Sequence, residues 1–217
     1  MTQGRLITLE GIEGAGKSTI ARWVCEWLRR RSVSAHLTRE PGGTELAERV
    51  RRIVLERGSE SVSATAETLL MFAARDIHLE NLIRPALARG DWVVCDRFTD
   101  ATRAYQGAGR GVDAAWIEQL AARVHGGLEP ACTLLLDLPV ATGLARAKSR
   151  RDGASDRFEA ETSAFFERVR AGYLELARRE PRRIELIDAA AAIEDVQRQV
   201  ATVLSRLTAA REAVHDP

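Results

Sequence analysis

Residues Gly11-Ile12-Glu13-Gly14-Ala15-Gly16-Lys17-Ser18 match the pattern G-x-x-x-x-G-K-[ST] in full. That spacing makes a phosphate loop when a strand precedes it and a helix follows. Glycine lets the backbone curl until successive N–H groups point inward at phosphate oxygens, and the helix adds the positive end of its dipole. Lys17 then reaches the β and γ phosphates of ATP. The Ser18 hydroxyl is a ligand for Mg²⁺, a hard cation that keeps most of its waters. The triphosphate-binding stretch accordingly comprises Gly11, Glu13, Gly14, Ala15, Gly16, Lys17, Ser18 and Thr19. The bland alternative is an ordinary glycine-rich turn. Lysine usage argues against it: of 32 basic residues only Lys17 and Lys148 are lysines, so a chain that uses arginine almost everywhere keeps a compact ammonium where the loop needs one.

A phosphate loop alone does not separate kinases from switches, motors or assembly ATPases. A GTPase switch reads its base with Asn-Lys-x-Asp, and neither lysine lies in such a motif. What the chain does carry is a set of arginines at the ends of apolar runs: Arg39 with Glu40, and Arg97 with Asp96, while Arg75 lies in a long helical stretch. In an open parallel sheet the ligand crevice lies at the carboxyl ends of the strands, so these groups converge on residues 11–18. Guanidinium forks bind phosphate bidentately. The cluster therefore predicts a second anion beside the triphosphate, that is, a phosphoryl acceptor which is itself a phosphate. For any single arginine in so Arg-rich a chain the alternative is a solvated surface charge; joint placement at strand ends is what points to a site.

The elements that must position these groups alternate short apolar runs with stretches of helical period, the pattern of an α/β fold: three αβα layers around a five-stranded parallel sheet. Strands are predicted at 6–10, 35–38, 92–95, 133–137 and 184–187. Helices are predicted at 18–30, 45–56, 64–88, 113–124, 140–147, 160–179 and 193–207, with turns at 41–43, 107–111 and 126–127. The whole chain, 1–217, reads as one kinase domain, with the phosphate loop at 11–18 and a short basic lid at about 146–158 that holds Arg146, Lys148, Arg150 and Arg151. A net charge of +1 gives no long-range attraction to nucleic acid or to an acidic membrane. With no secretory start and no apolar run near the ~20 residues of a membrane span, the cytoplasm is the expected location. Cys25, Cys95 and Cys132 are odd in number, lack CxxC spacing and read as buried thiols.

Five blocks carry a family resemblance: Leu9-Glu10-Gly11-Ile12-Glu13-Gly14-Ala15-Gly16-Lys17-Ser18-Thr19, Thr38-Arg39-Glu40-Pro41-Gly42-Gly43-Thr44, Phe72-Ala73-Ala74-Arg75, Asp96-Arg97-Phe98 and Ala104-Tyr105-Gln106-Gly107. Together they resemble bacterial thymidylate kinase, over nearly the whole chain. The resemblance implies transfer of the γ-phosphoryl group of ATP to thymidine 5′-monophosphate (dTMP), with Mg²⁺, in a homodimer. It implies that Arg75 and Thr102 bond the thymine edge, with Gln106 beside them and Phe72 against the ring; many relatives carry the aromatic one position earlier, where this chain has Met71. Tyr105 is implied to crowd the sugar 2′ position. Arg39, Arg51 and Arg97 are implied to hold the monophosphate, Glu13, Glu40 and Pro41 to lie on the acceptor side, and Asp96 to face Mg²⁺ or its waters. Some relatives place a catalytic arginine inside the phosphate loop; with Gly14 there, this chain resembles those that place it in the lid, where Arg150 or Arg151 contacts the transferred group and Arg146 supports the ATP side. The lid is longer than usual by about two residues, and Ala101 stands where some relatives have serine. The long stretch 64–88 serves either a dimer interface or a layer of the fold. The competing readings are another nucleoside monophosphate kinase and a non-catalytic ATPase module.

Overall fold

The computed structural model describes residues 4–56, 60–149, 157–158 and 161–212. Strands β1 (Leu6–Glu10), β2 (Ala35–Arg39), β3 (Trp92–Asp96), β4 (Cys132–Asp137) and β5 (Ile184–Asp188) form one parallel sheet in the order β2-β3-β1-β4-β5. The inner strands β1, β3 and β4 are buried almost throughout because both faces of the sheet are covered there, whereas the edge strands β2 and β5 mix buried and exposed residues. Ile7, Leu9, Val94 and Leu134 pack with Ile20 and Val24 of α1 (Lys17–Arg29) and with Val200 and Leu204 of α9 (Ile193–Glu212). Side chains alternate along a strand, so Leu6 faces the other way and packs with Val93 and Cys95 against Leu79, Ile83 and Ala86. The expected three-layer α/β fold is observed, each strand within one residue of its predicted ends.

The remaining helices are α2 (Glu45–Leu55), α3 (Ala64–His78), α4 (Arg84–Ala88), α5 (Thr99–Thr102), α6 (Ala114–His125), α7 (Val140–Ser149) and α8 (Ser163–Arg179). Side-chain caps set three of the starts: Ser63 Oγ accepts from Ala66 N, Asp113 Oδ1 from Ala115 N, and Thr162 Oγ1 from Phe165 N. The predicted helix 64–88 is instead two α-helices joined by a π-helical turn, Leu79–Ile83. Pro85 explains the change: its ring lacks an N–H and crowds the carbonyl one turn back, and the wider turn makes room.

A second difference concerns 107–111, predicted as a turn. Residues Arg103–Gly109 form a π-helical segment continuing α5. Gly109 is there for contact, since a Cβ on it would lie 2.6 Å from the Phe165 ring of α8. Of the predicted lid, α7 carries the chain to Ser149, Arg157 donates to Val54 O of α2 and Phe158 meets the Tyr105 ring edge-on; residues 150–156 lie outside the described residues. No helix among the described residues is long and apolar enough to cross a membrane. All three cysteines are buried and free, and burial pushes the Cys25 thiol up to about 11 and Cys132 up to about 12, so neither is a ready nucleophile.

Candidate active site

From β1 the chain runs to the β2–β3 edge and then crosses back to β4, so the loop leaving β1 opens where the strand order reverses. In that loop Gly11, Gly14 and Gly16 have φ of 136°, 77° and 87°, a region closed to other residues without strain. The Lys17 ammonium turns back over the loop and donates to Gly11 O (3.0 Å) and Ile12 O (2.9 Å). Burial, with repulsion from Arg97, pulls this ammonium below the ordinary lysine value despite the nearby carboxylates of Glu13 and Asp96. A triphosphate would relieve that stress. Ser18 Oγ donates to Asp96 Oδ2 at 2.6 Å, so two hard oxygens from β1's loop and β3's end stand side by side, a donor pair suited to Mg²⁺.

Gly14 also fixes how the loop meets α7. A Cβ at position 14 would lie 1.9 Å from Gly143 O, and a Cβ on Gly143 would lie 2.5 Å from Glu13 O. Both obstacles are backbone, so no rotamer relieves them, and no side chain fits at 14. Gly14→Ala is expected to lower Tm by about 6–12 °C, from about 3 kcal/mol of overlap and left-handed strain, and to abolish ATP turnover. Gly16→Ala separates the two costs: at φ 87° its Cβ meets nothing within 4 Å, so only the strain remains. Equal melting points for the two variants would refute the Gly14–Gly143 contact as a constraint.

Arg97 follows β3 with φ 72°, a left-handed conformation that costs a non-glycine residue on the order of 1–2 kcal/mol. Glu10 holds the turn: its Oε1 accepts from Phe98 N (2.7 Å) and Ala101 N (3.3 Å), and its Oε2 accepts from the Tyr173 hydroxyl (2.7 Å). The guanidinium so placed donates to Gly11 O, to the hydroxyls of Tyr173 and Tyr105, and to Glu13 Oε1 at 2.6 Å. Burial works against the Glu13 charge, yet Arg97 and Lys17 hold its carboxyl below the ordinary value. Cations therefore gather around one carboxylate at the mouth of the phosphate loop.

The far end of the cleft is built on α3. Arg75 is 2% exposed; its Nε donates to Glu40 Oε2 (2.7 Å) and its Nη2 to Phe98 O and Thr102 Oγ1 (3.1 Å each). Its Nη1 has no acceptor among the described residues. His78 backs Glu40: Nδ1 donates to Glu40 Oε1 (3.0 Å), leaving Nε2 to accept from the Thr38 hydroxyl (2.7 Å). Gly43 makes this possible, because a Cβ there would lie 2.4 Å from both His78 Nε2 and Thr38 Oγ1. Glu40, His78 and Cys95 form a metal-like donor cluster. Two observations argue against a cation there: both Glu40 oxygens already serve Arg75 and His78, and burial with neighbouring carboxylates keeps the Cys95 thiol protonated.

One cleft of about 280 Å³ brings together Glu13, Gly14, Gly16, Lys17, Ser18, Arg39, Glu40, Pro41, Arg51, Arg75, Asp96, Arg97, Thr102, Tyr105 and Gln106. Arg39 is held by Glu48 (3.0 Å) and Arg51 by Pro41 O (2.8 Å). One expectation needs correction. Phe72 does not line the cleft: it is 3% exposed, packed on Ile117 and Ala121 of α6, and Met71, one turn before Arg75, forms the wall instead. Glu40 lines the cleft as well, its carboxylate held by Arg75 and His78. Gly11, Ala15 and Thr19 shape the loop without lining the cleft. Arg146 binds Ala189 O at 2.8 Å and so ties α7 to the segment after β5. Arg150 lies outside the described residues. Sequence reading missed Glu10, Glu67, His78 and Tyr173; the available signal was a polar side chain on an otherwise buried face.

The family model described as thymidylate kinase matches residues 9–200. The thymidylate kinase of Pseudomonas putida (strain GB-1) is 56% identical over 93% of this chain and 95% of that protein. That of Alkalilimnicola ehrlichii is 52% identical over 98% of this chain and 100% of that protein. The crystal structure of thymidylate kinase from Ehrlichia chaffeensis superposes with a TM-score of 0.75 at 32% identity, covering 93% of this chain and 99% of that one.

Proposed function

The chain belongs to the thymidylate kinase family, and on that premise we propose that it transfers the γ-phosphoryl group of ATP to the 5′-phosphate of dTMP, yielding ADP and dTDP. The observation that carries this reading is a single cleft with two dissimilar ends: the phosphate loop with Lys17, Ser18 and Asp96 at one, and at the other a buried Arg75 whose Nη1 has no partner among the described residues. An orphaned buried donor costs about 1–3 kcal/mol. A base carbonyl seated in the cleft satisfies it.

The loop amides and Lys17 hold the triphosphate. Ser18 and Asp96 would hold Mg²⁺, which would supply neutralisation of phosphate charge. Arg39, Arg51 and Arg97 seat the monophosphate so that its oxygen lies in line with the γ-phosphorus; the new P–O bond forms as the β–γ bridge breaks. No covalent help is needed, because positioning and charge neutralisation supply most of the effect. Tyr105, held by Arg97 and wedged among Phe158, Phe165 and Phe166, is a rigid wall for the sugar. Arg75, Thr102 and Gln106 read the base edge beside Met71. Arg150 supplies the transition-state cation. The exposed apolar residues Leu46, Ile53 and Leu69 on α2 and α3 support a homodimer through these helices, which a solution mass measurement decides.

A coupled assay for ADP over a panel of monophosphates tests the activity. Rapid release is expected with dTMP, ATP and Mg²⁺ together, and none after chelation. ATP loss indifferent to the monophosphate, or preference for a ribonucleotide or for a base other than thymine, would overturn it.

A further inference from the structure

We infer that Glu67 is a positioning residue for base selection: it fixes the Gln106 amide so that a carbonyl oxygen, and not an amino group, faces the base, and thereby favours 4-oxopyrimidines over 4-aminopyrimidines. This deepens the thymidylate reading of the same cleft and rests on it.

Glu67 lies on α3 two turns before Arg75 and is 1% exposed. A carboxylate so buried must be paired. Arg157 Nη2 lies 2.7 Å from Oε2 and Arg110 Nε 3.4 Å from Oε1. The third neighbour is the Gln106 side chain, whose amide lies 2.6 Å from Oε1. A carboxylate flanked by two guanidinium groups offers only acceptor oxygens, so the amide atom beside it is the NH₂ group. The Gln106 oxygen is then turned the other way. Gln106 lines the cleft at 1% exposure, and no hydrogen bond to its side-chain oxygen is found among the described residues.

An amide is two-faced, and without a fixed partner it presents either end. With Glu67 in place, Arg75 Nη1, a donor with no partner among the described residues, and Gln106 Oε1, an acceptor, belong to the base end of the cleft. A 4-oxopyrimidine carries the complement on adjacent atoms, an O4 acceptor beside an N3–H donor. A 4-aminopyrimidine carries the reverse and is opposed at both. Sites built to hydrogen-bond a substrate reject the wrong partner strongly because buried groups are left unpaired.

Glu67→Gln keeps the shape and an oxygen for the arginines, yet lets the Gln106 amide turn. Expected is a rise of about tenfold in the KM for dTMP with little change in kcat or in the KM for ATP, and a fall of at least about tenfold in the kcat/KM preference for dTMP over dCMP. In a Gln106→Leu background the same change is expected to leave that preference where Gln106→Leu alone puts it. A purely structural Glu67 would lower Tm and depress both substrates in proportion, with the preference unchanged; that result overturns the inference. If Glu67→Gln does not fold, Gln106→Leu decides: an unaltered preference for dTMP overturns it equally. Wild-type turnover of dTMP tests the underlying reading separately.

Discussion

Lys17→Ala is expected to lose phosphoryl transfer by a factor of about 10³ or more while its Tm stays level or rises. The two halves have one cause. Lys17 is 7% exposed, and its ammonium is repelled by the Arg97 guanidinium and held by two backbone carbonyls of the loop. Burial and Arg97 lower its folded proton affinity below that of the unfolded chain, so the native state carries a penalty for charging it. The penalty is present below the lowered folded value and relieved as pH rises from there towards the ordinary lysine value. Alanine removes the penalty, leaving Gly11 O to Arg97 and Ile12 O to water. Function pays for the charge: no other ammonium lies among the residues lining the cleft, and the loss of a preorganised cation at the γ-phosphate is worth about 4 kcal/mol in the transition state. The checks are single-turnover transfer and thermal melting on the same protein. Near-normal turnover would remove Lys17 from the mechanism; a large drop in Tm would show that it stabilises the loop instead.

Such strain at a functional site is a reason sequence and structure disagree where they do. The inner strands were legible because a parallel sheet covered on both faces needs mostly apolar runs, and Leu6–Glu10 or Trp92–Asp96 can be little else. The phosphate loop was legible because its chemistry is local: Gly14, Gly16, Lys17 and Ser18 act within one turn of chain. Less local features were not. The π-helical segment Arg103–Gly109 follows from how closely α8 approaches Gly109, and nothing near residue 109 announces Phe165. Tyr173 meets Glu10 across 163 positions of sequence, and Gln106 meets Glu67 across 39. These partners emerge only when the fold closes. Phe72 and Met71 make the same point: adjacent helix positions differ by about 100° in direction, and only the packing of α6 decides which one turns into the core.

Removing Arg97 should expose how much the cleft depends on one guanidinium. It donates to Gly11 O, Glu13, Tyr105 and Tyr173, and it is placed by a left-handed turn that Glu10 pins through Phe98 N and Ala101 N. In Arg97→Ala the Glu13 carboxylate keeps its burial and loses its principal counter-ion, so its proton affinity rises; the native state then takes up a proton that the wild type does not, and stability declines as pH climbs through the raised value. The pair is partly buried, its Arg97 and Glu13 side chains 15% and 30% exposed, so truncating one member costs less than the ~3–5 kcal/mol of a fully buried pair. On the substrate side the loss falls on the monophosphate: kcat/KM for dTMP is expected to drop by roughly 10²–10³, with the KM for ATP changed by less than about threefold. Arg97→Lys should recover little, because an ammonium offers no planar fork to reach a phosphate, Glu13 and two tyrosine hydroxyls together. Steady-state kinetics with each substrate varied in turn, alongside melting curves from about pH 5 to 9, separate these effects. An increase confined to the ATP KM would place Arg97 with the donor nucleotide and leave Arg39 and Arg51 as the only guanidinium groups at the acceptor phosphate.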